Sequence, residues 1–377
     1  MAKKILVVAP YSFLPYRSGG QKYIAQFLEV LGQQARVTVV STAQDAGYTP
    51  SAHYRLLPVL PYSFFRYADY TLKTTLIDLI ERNHYDWIIW EHPYYGWLAN
   101  IIKEKTGIKT LIHTHNIEHL RFRSLKKIWW PLLEPYERNT FKRADKIAFI
   151  TEQDKQFAIE NWKIDPNSCL DIPYGIMQEH FPTDKAVCRL SLIDKHPLSK
   201  EKTILLFNGA LDYAPNYNAL HRLLKELMPR LQKENPDQYI LLVCGKGLPK
   251  RDKNLIAYRH LGVQYAGFVD DIETYFKGAD IFLNPVLEGG GIKTKMIESI
   301  AFGTPVAAMQ KAATGLSLEL TGRLLTCTPD QNWDAFFKAV QDLRNALTDG
   351  PLQTPEAFYE HYNWKNIIER LLNQLPD

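Results

Sequence analysis

Short runs rich in β-branched residues alternate with longer amphipathic segments along almost the whole chain, and after residue 200 the alternation begins again. A strand followed by a helix rejoins its sheet in the same direction, so this rhythm predicts βαβ units and parallel sheets instead of hairpins. Residues 4–9, 36–41, 53–59, 87–90, 110–115 and 146–151 read as strands of a first domain, with helical segments such as 20–32 and 70–83 between them. Residues 203–208, 239–244, 263–267, 280–285, 305–309 and 323–326 read as strands of a second, with helices at 216–232, 293–302 and 333–348. Ile172-Pro173-Tyr174-Gly175 opens a polar stretch with Pro182 and Pro197 whose weak periodicity reads as a linker. The expectation is two doubly wound α/β domains, the first over 1–180 and the second over 181–357, with ligands beyond the carboxyl ends of the strands and an active site in a cleft between the domains. A chain of 377 residues has the length for two such cores. The tail, 355–375, reads as one or two helices.

Composition excludes several classes. Hydrophobic and charged contents of 46% and 23% are ordinary for a folded protein, against disordered or fibrous chains. No apolar run approaches the roughly 18 residues of a membrane span, and the apolar start 5–10 is too short for a signal peptide, which leads us to expect a cytoplasmic protein. Cys169, Cys188, Cys244 and Cys327 form no CxxC pair, so neither a zinc site nor a disulfide scaffold is expected. The formal charge of +4 lies entirely in residues 1–180, and 103–146 hold 11 basic against 5 acidic side chains. A nucleic-acid-binding protein would show a stronger basic stripe, so no nucleic-acid partner is expected.

The most informative motif runs from Asn284 to Val306, where an apolar strand ends, Gly289-Gly290-Gly291 turns the chain, and a helix opens with Lys293 and Lys295. Bare amides at a helix start, together with lysines that oppose the helix dipole there, make an anion site. Glu298, one turn beyond Lys295, can accept hydrogen bonds from a sugar or ribose diol. The plainer alternative is a loop that only turns the chain. Gly245-Lys246-Gly247 after another strand lacks the third glycine of a dinucleotide fingerprint, since Lys250 stands at that position, and Lys246 is left as a candidate for phosphate contact. No Asp-x-Asp motif occurs, so neither a metal nor any other cofactor is expected.

Four segments in order resemble a retaining glycosyltransferase of glycosyltransferase family 4, with the GT-B fold of two Rossmann-like doubly wound domains facing across a cleft. They are Pro10-Tyr11-Ser12-Phe13 with Gly19-Gly20, then Thr114-His115-Asn116-Ile117-Glu118, then 207–216 with Gly209, and finally Gly267-Phe268-Val269-Asp270-Asp271 with the 289–305 block. The family often carries two glutamates eight positions apart, but eight before Glu298 stands Gly290, as in the subgroup with a Gly-Gly-Gly turn and a following lysine. Whether Glu288 takes over a sugar contact is open. The family's basic residue after Gly209 is also absent from 212–218, which leaves Lys293 or Lys295 as the positive charge for a diphosphate.

The resemblance implies a nucleotide-diphosphate-sugar donor, a UDP- or GDP-sugar, held by Gly19, Gly20, Gly209, Lys246, Phe268, Val269, Gly289, Gly290, Gly291, Ile292, Lys293 and Glu298. It implies catalytic roles for His115, Glu288 and Lys295, and an acceptor side at His92, Asn116 and Glu118, with Glu91 an equal alternative to His92. The alternative for His115 is a polar loop away from substrate. Asp212 and Tyr213 either line the cleft or cap the helix that follows. The tail, 358–377, would cross back onto the first domain. The acceptor would be a saccharide or lipid-linked molecule of cell-surface glycan synthesis. Residues 121–130, Arg-Phe-Arg-Ser-Leu-Lys-Lys-Ile-Trp-Trp, have two readings: peripheral contact with the anionic inner face of a membrane, or packed tryptophans under a solvated charged face. A nucleotide-sugar epimerase of the same architecture and a non-catalytic sugar-nucleotide-binding protein are the rival functions.

Overall fold

The computed structural model describes residues 2–16, 18–48, 53–288 and 292–376. The chain divides into two compact units, Met1–Met177 with Tyr362–Asp377, and Gln178–His361.

The first unit is built on β1 (Lys4–Val8), β2 (Arg36–Thr42), β3 (Tyr54–Leu60), β4 (Trp87–Glu91), β5 (Lys109–Thr114), β6 (Lys146–Phe149) and β7 (Cys169–Asp171), which form one parallel sheet in the order β3-β2-β1-β4-β5-β6-β7. Its helices are α1 (Gly19–Gln34), α2 (Thr71–Asn83), α3 (Gly96–Thr106), α4 (Glu118–Ser124), α5 (Trp130–Arg143) and α6 (Glu152–Trp162). The central strands are apolar over most of their length because helices cover both faces, with Ile5, Leu6, Val7, Ile88, Ile89 and Leu111 wholly buried, and turn polar at the carboxyl ends of β4 and β5. Polar side chains start the helices: Ser18 accepts from the Gln21 amide ahead of α1, and Thr151 from the Asp154 amide ahead of α6.

In the second unit α7 (Lys185–Lys195) precedes β8 (Thr203–Asn208), α8 (Ala214–Arg222), α9 (Met228–Glu234), β9 (Tyr239–Cys244), β10 (Val263–Gly267), α10 (Ile272–Gly278), β11 (Ile281–Asn284), α11 (Thr294–Ala301), β12 (Val306–Met309), β13 (Leu325–Thr328) and α12 (Trp333–Thr348). Its parallel sheet runs β10-β9-β8-β11-β12-β13. α13 (Glu356–Tyr362) and α14 (Trp364–Gln374) end the chain. α14 rejoins the first unit: Trp364 donates to Gln26, the Gln34 amide to the Lys365 carbonyl, and the indole packs so tightly over Gly175 that a Cβ there would lie 2.1 Å from it.

Two expectations are corrected. The stretch read as a linker contains α7, whose buried positions are only Cys188 and Leu192, one turn apart and too few for a periodic signal. Lys185 anchors it by donating to the Lys277 and Phe302 carbonyls and to Thr304. The single helix expected over 216–232 is α8 and α9 joined by a π turn at Leu223–Leu227, where Pro229 lacks the amide that an α-helix ladder needs.

Candidate functional site

Strand order reverses between β1 and β4 in the first unit and between β8 and β11 in the second. At such a reversal the connections leave on opposite faces and open a crevice beyond the carboxyl ends of the two strands, where ligands of doubly wound sheets bind. The residues just past those ends carry the chemistry in each unit.

Past β1 stands Tyr11, and past β4 stands His92; their hydroxyl and Nε2 meet at 2.8 Å. His92 has φ 66° and ψ 159°, a region that is essentially glycine's and costs about 1–3 kcal/mol for other residues. Its surroundings hold it there. The backbone amide donates to the His113 carbonyl, Nδ1 lies 3.2 Å from Glu118, and Tyr94 stacks on the ring at 5.0 Å. Glu91, the last residue of β4, is fully buried between His113 Nδ1 at 2.9 Å and His115 Nε2 at 2.8 Å. Burial pushes its carboxyl up, but the two histidines outweigh that and hold it well below the usual range. His115, buried and next to His92, is driven down to about 3, so it works as a neutral imidazole that donates from Nε2 to Glu91 and keeps Nδ1 as an acceptor. His113 reaches the other way to Tyr23, whose hydroxyl donates to the Ile172 carbonyl. Glu91, His113 and His115 are also a group whose ligating atoms lie within 4.8 Å of one another, a spacing that a metal ion can use.

The loop carrying His115, Asn116 and Glu118 is clamped from below. Glu137 of α5 accepts from the Glu118 and His119 amides at 2.7 and 3.1 Å and from His119 Nδ1 at 3.0 Å. Asp154 of α6 accepts from the Ile117 amide, and burial, with Glu137 and Glu118 nearby, raises it to about 6. Glu118 is itself buried, yet His92 and Arg121 bring it down to about 2. Asn116 donates to it at 3.4 Å and Arg121 Nε at 2.8 Å.

In the second unit Asn208 ends β8 and Asn284 ends β11. Lys295 of α11 donates from Nζ to the Asn208 carbonyl at 2.6 Å and to Asn216 at 3.4 Å, so the ammonium is held by neutral oxygens. Burial brings it down to about 8, with Glu298 opposing and Lys293 assisting. A Cβ on Gly209 would lie 2.5 Å from Lys295 Nζ and 2.7 Å from Asn216 Nδ2, so any side chain there would displace the tips of both. Burial likewise lowers Lys293, which precedes α11, to about 8, with Lys311 adding. Glu288 accepts from Asn218 and from Arg222, each at 3.2 Å. Asn208 Oδ1, Asn284 Nδ2 and Arg222 Nη1 are buried without a hydrogen-bond partner among the described residues. Buried polar atoms left so are costly and need an account.

The remaining candidates fall into place unevenly. His92, His115, Asn116 and Glu118 share one network in the first unit, and Gly209, Lys295, Glu288 and Glu298 belong to the second unit's crevice. Gly19 and Gly20 begin α1; a Cβ on Gly20 meets only Tyr11 Oη, at 3.7 Å, so packing does not demand glycine there. Lys246 is exposed, with its carbonyl bonded to the Leu211 amide. Phe268 and Val269 follow β10, and Phe268 is 64% exposed. Ile292 is half-buried ahead of α11, and Gly289, Gly290 and Gly291 lie outside the described residues. The capping role considered for Asp212 is corrected: Tyr213 is the cap of α8, without a side-chain bond, and Asp212 instead packs against Gly247. The reading of Trp129 and Trp130 as packed tryptophans is corrected for Trp129, which is 42% exposed, as is neighbouring Ile128 at 93%, whereas Trp130 is half-buried and stacks on His119 at 6.4 Å. Sequence reasoning missed Glu137, Asp154, Arg121 and Arg222. Thr151-x-x-Asp154 at a helix start was a legible capping pattern for one of them.

Comparison with known proteins places a family on each unit. Residues 17–179 match the model of Glycosyltransferase Family 4, and residues 202–346 match that of Glycosyl transferases group 1. An uncharacterized 44.6 kDa protein in the cps region of Klebsiella pneumoniae is 24% identical over 275 residues, 68% of this chain, and the match spans 64% of that protein's length. Anabaena Alr3699/HepE, solved in complex with UDP, superposes with a TM-score of 0.75 at 14% identity over 99% of both chains; it has also been solved in complex with UDP-glucose. WaaG, a glycosyltransferase involved in lipopolysaccharide biosynthesis, gives a TM-score of 0.66 at 13% identity over 99% of both chains. Among the described residues no helix is long and apolar enough to cross a membrane.

Proposed function

Because the chain carries glycosyltransferase domains of the family 4 type on a GT-B fold, we propose that it transfers a sugar, with retention of configuration, from a UDP- or GDP-sugar to a saccharide or lipid-linked acceptor of cell-surface glycan synthesis. The observation that carries this reading is Lys295, an ammonium brought to the second unit's strand reversal and hydrogen-bonded, among the described residues, to the neutral oxygens of Asn208 and Asn216. A leaving diphosphate develops negative charge, and a desolvated cation aimed at it stabilises the transition state without having to reorganise. Lys295 thereby supplies the charge that residues 212–218 lack, Lys293 adds to it, and Glu298 takes the ribose diol. Phe268 and Val269 meet the base.

In this reading the first unit takes the acceptor and the transferred sugar. Neutral His115, oriented by Glu91, offers Nδ1 as a hydrogen-bond acceptor to a sugar hydroxyl, and His92 and Glu118 bind beside it. Glu288, positioned by Arg222 and Asn218, meets the sugar from the donor side. Lys126, Lys127, Ile128 and Trp129 form the face that meets an anionic membrane from the cytoplasm. The charge stabilisation needs no metal.

The test is a set of nucleotide sugars with a broad acceptor panel, with product configuration read by nuclear magnetic resonance. Release of UDP or GDP only when an acceptor is present, and a retained anomeric configuration, are expected. No release from any donor would sink the reading. Activity should survive a chelator; loss in EDTA with recovery on adding a divalent ion would instead assign the Glu91, His113 and His115 group to a metal.

A further inference from the structure

The segment that follows β3 is an exposed aromatic surface held on a rigid mount. Tyr62, Phe65 and Tyr70 are 68%, 81% and 71% exposed. Three large exposed aromatic side chains gathered on one short segment are the kind of surface that marks a place where something binds. The mount is Arg66: Nε donates to the Pro10 carbonyl at 2.8 Å, one terminal nitrogen to the Tyr62 and Ser63 carbonyls, and the other to the Tyr67 hydroxyl at 3.0 Å. Pro10 lies just past β1, beside Tyr11. The segment is therefore fastened to the rim of the first unit's crevice.

Rings connect the two places. Tyr94, stacked on His92, meets Tyr67 at 5.7 Å; Trp97 donates from Nε1 to the Tyr67 carbonyl at 2.7 Å; and Tyr70 meets Trp97 at 4.7 Å. Ring contacts and one backbone hydrogen bond thus lead from buried His92 to exposed Tyr70. We propose that Tyr62, Phe65, Tyr70 and Trp97 form a stacking platform for a pyranose ring of the acceptor one or more residues away from the reacting hydroxyl, so that the acceptor is an oligosaccharide. The proposal rests on the reading that the first unit takes the acceptor.

Chemistry favours this occupant. The C–H face of a pyranose is apolar with weakly positive hydrogens, which matches the negative face of an aromatic ring, while its rim of hydroxyls matches the tyrosine hydroxyls. Side chains on a fixed segment lose little freedom on binding. An anionic bilayer is a poorer match, because the segment's cation, Arg66, is turned inward and Asp69 lies beside it, bonded to Thr71. The contrast is with 126–129, where two lysines adjoin exposed Ile128 and Trp129.

Phe65→Ala/Tyr70→Ala removes two platform rings and leaves the Arg66 bonds in place; its unfolding midpoint should match the parent's. The probe is a printed array of bacterial capsular and lipopolysaccharide oligosaccharides. The parent should be retained on a subset of two or more pyranoses, the double variant should lose retention tenfold or more, and Phe65→Tyr/Tyr70→Phe should keep it. Failure of the parent to bind any glycan, or equal binding by the alanine variant, overturns the platform. So does loss of binding to phosphatidylethanolamine/phosphatidylglycerol vesicles with glycan retention unchanged, which would make the patch a membrane contact. A UDP-induced thermal shift of the parent is read separately: a shift without glycan retention overturns only the platform, and no shift with any nucleotide overturns the donor reading itself.

Discussion

The two strand reversals solve opposite electrostatic problems. In the first unit, buried groups saturate one another: Glu91 with His113 and His115, Glu118 with His92 and Arg121, Glu137 with two amides and His119. In the second, a lysine rests on carbonyl and amide oxygens, and Asn208, Asn284 and Arg222 each keep a buried polar atom without a partner among the described residues; other such atoms lie elsewhere in both units, Trp90 Nε1 and Tyr95 Oη among those of the first. A saturated network fixes geometry before substrate arrives; an unsaturated cationic crevice gains most when an anion enters it. One unit is thus built for position and the other for charge.

The largest effect should come from breaking the saturated side. Glu91→Gln keeps the shape but removes the carboxylate to which two buried histidines are hydrogen-bonded, and each hydrogen bond to a charged group is worth about 1.5–3 kcal/mol. The denaturant midpoint should fall accordingly with the slope unchanged. A loss below about 1 kcal/mol would mean that the network is not the rigid element described.

Next is Lys295→Ala, with the opposite signature. Charge-assisted hydrogen bonds are worth about 1.5–3 kcal/mol, so UDP affinity measured by calorimetry should drop at least tenfold. Stability should hold or rise, since a desolvated cation is removed. Unchanged UDP affinity would remove Lys295 from the donor site and with it the contrast between the units.

These two sites were not equally legible in the sequence. Both sheets could be read because strands covered on two faces must be apolar throughout, and such runs are visible at 4–9 or 203–208 without any tertiary knowledge. Lys295 and Gly209 stood in segments whose glycines and charges already broke local rules. Glu137 did not, since it looks like a surface acid on an amphipathic helix, and Asp154 reads as no more than part of a helix-start cap; only the fold shows that both turn inward to hold the amides of 117–119. Arg222 was hidden in the same way, in the last turn of a helix, where a basic residue is ordinary. Side chains that act through long-range contacts leave no periodic trace.

A smaller effect comes from titration. With Lys295 near 8, below the ordinary lysine value of 10.5, its charge is lost as pH rises through about 8, so UDP binding should weaken over that range. The stability sign is opposite: a base lowered on folding favours the folded state at high pH and loses that contribution as pH falls through 8. Lys295→Arg keeps its charge and should flatten the binding profile. His115, already neutral above about 3, should contribute no limb near pH 6. A parent profile flat to pH 10 would mean that Lys295 does not carry the anion.

The smallest expected change tests whether Glu288 belongs with position or with charge. Its pair with Arg222 is partly open, at 39% and 35% side-chain exposure, and pairs of that kind contribute about 0–1 kcal/mol, so Glu288→Gln should shift stability by less than that. UDP alone should bind the variant as well or up to a few fold better, because the Arg222 cation loses its carboxylate. A nucleotide sugar should be turned over more slowly, because the sugar loses an acceptor. If turnover and UDP affinity move together, Glu288 acts only by tuning Arg222, and the second unit's crevice is charge alone. If turnover falls while UDP affinity holds or rises, Glu288 positions the sugar, and the second unit's crevice adds a placed carboxylate to its charge.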